Sequence, residues 1–188
     1  MQNKLFFVSA LSLFFLMQGN VNGQSKYYDK NCDVSFYSHT PIEDIEAKNT
    51  SAVSVLDVES GALEFAVLIK AFEFQKSLMQ EHFNENYMES EKFPKATFKG
   101  QVTNISSVKM TTDGNYPIEI TGTLTMHGVS KEISTTGTIK VSGGNIGGRS
   151  EFLVKPEDFN IAIPSVVKEK IEKELKVTVE ANYSAYTN

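Results

Sequence analysis

The sequence predicts an all-β domain: about eight antiparallel strands, forming a sandwich or a barrel, with one or two short helices. Three observations lead there. Apolar and polar residues alternate with period two over much of the chain. Two of the alternating runs are joined by the short Gly-containing turn His127-Gly128, the mark of a hairpin. The 188 residues, 40% hydrophobic and 22% charged, have globular composition and are enough for one domain with a substantial core.

The chain opens on an expected secretory signal, residues 1–23. Lys4 supplies the positive end and Leu5 to Met17 an apolar stretch of 13 residues, too short to span a bilayer. Val21-Asn22-Gly23 then offers a cleavage site before Gln24. Asp29-Lys30-Asn31 ahead of Cys32 is not the apolar lead of a lipoprotein, and no later run is long enough to cross a membrane. The expectation is a periplasmic or secreted chain of one domain, residues 24–188, with a net charge of −6 from 17 cations and 23 anions.

The elements follow in order. Val34 and Phe36 share a strand face, with Cys32 in an exposed leader before it. Residues 51–58 form a second strand. Residues 62–72 are apolar on both faces, with Leu63, Phe65, Val67 and Ile69 on one and Ala66, Leu68 and Phe72 on the other. Such a strand must be covered twice, and the expected cover is the helix that follows, with Met79, Phe83 and Tyr87 in one stripe. Ala96, Phe98 and Val102 make the next strand face. Ile118, Ile120, Leu124 and Met126 alternate with Glu119, Thr121, Thr123 and Thr125. After the turn, Val129, Ile133, Ile139 and Val141 alternate with Ser130, Glu132, Ser134, Thr136, Thr138 and Lys140. Gly143-Gly144 and Gly147-Gly148 bracket Asn145-Ile146 as a hairpin turn, and Phe152 with Val154 marks a strand. A second helix is predicted over 165–174, with Val167, Ile171 and Leu175 on its dry side and a Glu/Lys face that reads as solvated. Leu175, Val177, Val179, Ala181 and Tyr183 then alternate with Lys176, Thr178, Glu180, Asn182 and Ser184.

Charge and chemistry narrow the function. With 17 Lys, one Arg and no basic run, the chain lacks the clustered cations that nucleic acid requires. One cysteine excludes an internal disulfide and any multi-Cys metal site. His39, His82 and His127 lack the HxH or HExxH spacing of a metal or hydrolytic site, and His127 before Gly128 reads as a turn residue. Gly148-Arg149-Ser150-Glu151 lacks the second glycine of a nucleophile elbow, so no catalytic residue, metal or cofactor is assigned. The sequons at Asn49, Asn104 and Asn182 are short enough to arise by chance.

Several stretches, in order over residues 33–186, resemble the YceI family of exported lipid-binding proteins. Phe36-Tyr37-Ser38-His39-Thr40 is similar to that family's first strand, and Leu78-Met79-Gln80-Glu81-His82-Phe83 to the helix after its long apolar strand. Lys92-Phe93-Pro94-Lys95-Ala96-Thr97-Phe98 resembles the family's P-x-A-x-F strand entry. Gly122-Thr123-Leu124-Thr125-Met126-His127-Gly128-Val129-Ser130-Lys131 resembles its G-x-L-T-I-H-G-V-T-K hairpin, the most specific of these matches. Glu157-Asp158-Phe159-Asn160-Ile161 is a weaker match to a late D-F-G-I, with Asn160 where glycine is usual and Lys155-Pro156 where an arginine is common.

The resemblance implies an extended antiparallel eight-stranded lipocalin-like β-barrel with an elongated apolar cavity for a polyisoprenoid, quinone-like or fatty chain. Periodicity alone leaves open whether the barrel is filled or hollow, since Ala96, Gly122, Gly137 and Ala181 either leave a channel or make room for Phe rings. The expected ligand-binding residues are Phe36, Phe65, Val67, Phe98, Ile120, Leu124, Met126, Ile139, Phe152, Val177 and Val179 along the interior, with His39 and His82 at the mouth. The expected partner is a hydrophobic small molecule, and a homodimer is compatible with the sequence. The alternatives are an enzyme using one of the histidines as acid/base, and a filled-barrel structural module.

Overall fold

A computed structural model describes residues 25–186; the predicted signal segment lies outside these described residues. Nine strands form: β1 (Lys26–His39), β2 (Asp44–Asp57), β3 (Ala62–Leu68), β4 (Glu73–Phe74), β5 (Lys95–Val102), β6 (Gly114–Met126), β7 (Val129–Ser142), β8 (Asn145–Val154) and β9 (Leu175–Ala185). The order β1-β9-β8-β7-β6-β5-β3-β2 returns to β1 through antiparallel β1–β2 pairing, so eight strands close a barrel. The two-residue β4 pairs with β2 outside this circle.

The alternation read from sequence is the barrel wall. In β6, Ile118 and Ile120 are buried, as are Ile139 and Val141 in β7 and Ala181 and Tyr183 in β9, while the residues between them face outward. β1 and β2 run much further than the short runs at 34–36 and 51–58 suggested. The Asp29–Asn31 stretch forms an irregularity in the β1–β2 and β1–β9 registers instead of a leader. Asp29 secures it. Its carboxylate accepts from the Asn31 amide at 2.8 Å and from the Asn182 amide at 2.6 Å, tying β1 to β9. Cys32 therefore sits fully buried in the core, not in an exposed leader.

The one end of the barrel is closed and the other open. At the closed end, the 103–113 connection packs Ile105, Val108 and Met110 against the core. The Gly143-Gly144 turn is there too, both glycines with positive φ, but Gly147 and Gly148 are already strand residues of β8. The other end carries the longer excursions, 69–94 and 155–174. Alternation fails after Leu68 because the strand ends there and Ile69–Ala71 is a 3₁₀ turn that sends Ile69 and Phe72 inward. The outer residue Leu68 stays exposed, which corrects the expected double cover. The helix α1 (Ser77–His82) continues into a wider π-type turn over Phe83–Tyr87 and lies across the open end, not on the outer wall. The second helix is reduced to a 3₁₀ segment, Ser165–Lys170, and Leu175 already belongs to β9.

His127 joins the two excursions. Its Nδ1 lies 3.0 Å from the Phe159 carbonyl oxygen and its Nε2 2.9 Å from Glu89 Oε2, with the Phe93 ring edge-on at 4.6 Å. Among the described residues, the non-glycine positions with positive φ are Glu89, His127 and Asn160, and all three meet at this contact or directly beside it. Asn160, at φ 56°, supplies the left-handed backbone that glycine takes at no cost and asparagine tolerates next best, which explains the tolerated departure from D-F-G-I.

Candidate functional site

The barrel encloses a cavity of about 590 Å³. Its wall comes from alternate residues of the strands, which point inward because the strand period is two. Phe36 and Val34 enter from β1, Leu56 from β2, Leu63, Phe65 and Val67 from β3, Phe98 from β5, and Ile118, Ile120, Leu124 and Met126 from β6. Ile133 and Ile139 enter from β7, Phe152 and Val154 from β8, and Val177, Val179 and Tyr183 from β9. The interior is hollow because several wall positions carry small groups, including Ala96, Gly148 and Ala181. One glycine does the opposite. Gly122 pairs with Gly100, and a Cβ there would stand 2.7 Å from the Phe98 ring, so this pair is bare to seat that ring.

The mouth lies between three segments: the Thr40–Glu43 turn, α1 with the residues before it, and residues 163–171. Ser38, Glu43, Lys76, Leu78, Met79, His82, Ile163, Val167, Lys170 and Ile171 line it. Below this rim, Phe36, Phe72, Phe74 and Phe83 form an aromatic throat with ring centroids 5.0–5.8 Å apart. Lys76 Nζ donates to Glu43 Oε1 at 2.8 Å, and this bond, with Lys170 also near, holds the Glu43 carboxyl below the usual carboxylate range. At the deep end, Tyr183 and Ser54 share a buried hydroxyl hydrogen bond of 2.8 Å, and burial pushes the Tyr183 phenol well above its ordinary range.

The barrel seam also bears on the site. Backbone pairing of β7 with β8 stops at Gly137–Ser150. Beyond that point Ser150 Oγ donates to the Thr136 carbonyl at 2.7 Å, and the 3₁₀ turn Pro156–Phe159 brings Phe159, with Ile161, into a buried cluster with Ile69, Met88 and Val154. The Pro156–Phe159 turn lies against β7, and His127 holds it at Phe159.

All eleven predicted interior residues line the cavity: Phe36, Phe65, Val67, Phe98, Ile120, Leu124, Met126, Ile139, Phe152, Val177 and Val179. The predicted mouth histidines divide. His82 lines the mouth. His39 does not: at the end of β1 it is exposed, with Nδ1 2.5 Å from Asp44 Oδ1. His127 is 10% exposed in its side chain, more buried than a turn residue need be, and serves the loop junction. Leu63, Ile118 and Tyr183, which the sequence places on apolar strand faces without naming them as ligand-binding, line the cavity too, as does Leu56. Phe72, Ile161 and Ile163, in the irregular excursions where no period operates, have no such signal, whereas the helical stripe Met79, Phe83 and Tyr87, read from sequence as cover, lines the cavity. Among the described residues no cluster of three metal-ligating side chains forms, and no helix is long and apolar enough to cross a membrane.

Comparison with solved structures gives the same architecture. A polyisoprenoid-binding domain from Saccharophagus degradans, implicated in plant cell wall breakdown, superposes with a TM-score of 0.75 at 14% identity, over 87% of this chain and 99% of that one. Burkholderia cenocepacia BcnA gives 0.66 at 15% identity, over 81% and 96%. The YCEI protein of Campylobacter jejuni gives 0.59 at 20% identity, over 80% and 90%. Among curated proteins, none matches the chain by sequence. At the level of the family, the pattern described as the YceI-like domain matches residues 18–183, nearly the whole barrel. The chain is a member of the YceI-like family.

Proposed function

We propose that this protein is an exported, non-catalytic carrier that holds one long apolar chain, an isoprenoid or a similar lipid, inside the barrel. The observation that carries the reading is the cavity itself: about 590 Å³, walled along its length by aliphatic and aromatic side chains, with its charged groups at the rim. Arg149, on β8, directs its guanidinium outward to Glu151 and Glu180. Burial of each methylene contributes roughly 0.8 kcal/mol, so a prenyl chain binds such a wall with few polar contacts. The polyisoprenoid-binding neighbour and the family support this ligand class. The signal-like N-terminus supports export, to the periplasm or beyond.

The positions of the three histidines favour binding over turnover. His39 pairs with Asp44, His127 with Glu89 and the Phe159 carbonyl, and His82 alone faces the mouth, so no two of them share a reacting centre. The test is mass spectrometry of organic extracts from purified protein offered prenyl lipids. One lipid per chain is expected; repeated preparations without stoichiometric lipid would remove the proposal.

A further inference from the structure

The open end carries exposed apolar side chains, of which Leu78 lines the cavity mouth and Ile42 and Val166 do not. Ile42 is 57% exposed, Leu78 59% and Val166 87%. They come from three separate segments, the turn between β1 and β2, α1, and the 3₁₀ segment Ser165–Lys170, and each of these segments also lines the cavity mouth through a neighbour: Glu43, Met79 and Val167. Three exposed aliphatic tips therefore ring one hole. A patch built for a folded protein partner is continuous; these tips come from three separate segments around an opening into an apolar interior.

We infer that the mouth rim seats on a zwitterionic phospholipid bilayer, with Ile42, Leu78 and Val166 inserted among the lipids and the cavity opening against the membrane. This rests on the carrier reading, because a chain that prefers hydrocarbon to water is best collected where it is dissolved. Charge selects the surface. The mouth segments Thr40–Glu43, Lys76–His82 and 163–171 carry Lys76, Lys168 and Lys170 against Glu43, Glu81 and Glu169. These charges balance, so an anionic bilayer gains no attraction to this face and repels the acidic chain as a whole, net charge −5, while a neutral bilayer accepts the rim, with insertion driven by apolar burial. Two of the tips, Ile42 and Val166, lie outside the cavity lining and can be changed without touching the ligand's wall.

The chain contains no Trp, so one introduced Trp reports its own surroundings. In Val166→Trp, addition of pure phosphatidylcholine vesicles should shift the emission to the blue, and vesicles containing phosphatidylglycerol should shift it less. Tyr186→Trp, at the closed end, should not respond. In Ile42→Ser/Val166→Ser, transfer of a fluorescent prenyl lipid out of phosphatidylcholine vesicles should slow at least tenfold, while uptake of the same lipid from ethanol solution is unchanged. No shift at 166, equal shifts at 166 and 186, or undiminished transfer by the double variant would overturn the inference. So would a concentration-dependent blue shift at 166 without vesicles, which assigns the rim to a second copy. Failure of uptake from both vesicles and ethanol, with the shift at 166 retained, would instead remove the carrier reading and leave the docking surface.

Discussion

Val179→Phe tests whether a chain occupies the barrel lengthwise. Val179 sits midway along β9, opposite Val34 of β1 and Ser150 of β8, with Ala181 and Tyr183 lying deeper. At roughly 30 Å³ per water-sized group, close to the size of a methylene, the 590 Å³ cavity takes about twenty such groups. Phenylalanine carries about four more side-chain carbons than valine. It displaces about four methylene-sized groups of ligand, at roughly 0.8 kcal/mol each, so a chain that fills the cavity loses about 3 kcal/mol, near a hundredfold in Kd. A chain too short to reach Val179 loses nothing. Competition titrations with geraniol, farnesol and geranylgeraniol read the dependence directly: the loss should grow along the series. An equal loss for all three, with folding intact, or no loss for the longest, would refute lengthwise occupancy of this interior.

Three further outcomes test the fold that makes the site. His127→Ala removes the link between residues 89 and 159 and places alanine at a positive φ, so it should cost about 2 kcal/mol and lower Tm by roughly 4–8 °C in a thermal melt. Gly122→Val should destabilise by about 2 kcal/mol in urea titrations although valine is the better strand former, because its Cβ would stand 2.4 Å from Gly100 Cα and 2.5 Å from the Lys99 carbonyl oxygen. Burial first, and Asp29 beside it, raise the Cys32 thiol, and burial raises Tyr183. The unfolded forms of both groups ionise earlier than the folded ones. Stability is then complete below about pH 8.5 and falls as pH rises through the unfolded thiol's range, by up to about 1.4 kcal/mol per pH unit, and more steeply beyond about pH 10. A Cys32→Ala chain should lose the first part of that slope, and native Cys32 should resist thiol reagents until denaturant is added.

The wall of the barrel was legible in the sequence because each inward residue follows from its neighbours two positions away. Ile118, Ile120, Val177 and Val179 needed no knowledge of what they face. The β6–β7 hairpin was legible for the same reason, with His127-Gly128 as local turn chemistry. The residues that finish the site follow no period. Phe72 turns inward only because a 3₁₀ turn re-aims it into the throat, where it meets Phe83 of the helical stripe. Cys32 reads as exposed from Asp29-Lys30-Asn31, since nothing nearby tells that Asp29 will be satisfied by the amide of Asn182, 153 residues away. The helix predicted over 165–174 shortens to a 3₁₀ segment that ends at Lys170, because Ile171 is already extended ahead of the pairing of Leu175 with Val154 of β8. His39, expected at the mouth, stands at the end of β1. It leaves the lining because its ring turns outward to Asp44.

The central claim is that the inside of this barrel is a container for a hydrocarbon chain. Native mass spectrometry of the full protein, released from cells without detergent and again after exposure to geranylgeraniol, tests it most directly. The account predicts a mass increment of one chain-like lipid per protein that Val179→Phe diminishes. A protein that flies only at its bare mass in both cases, with its fold intact, would contradict it.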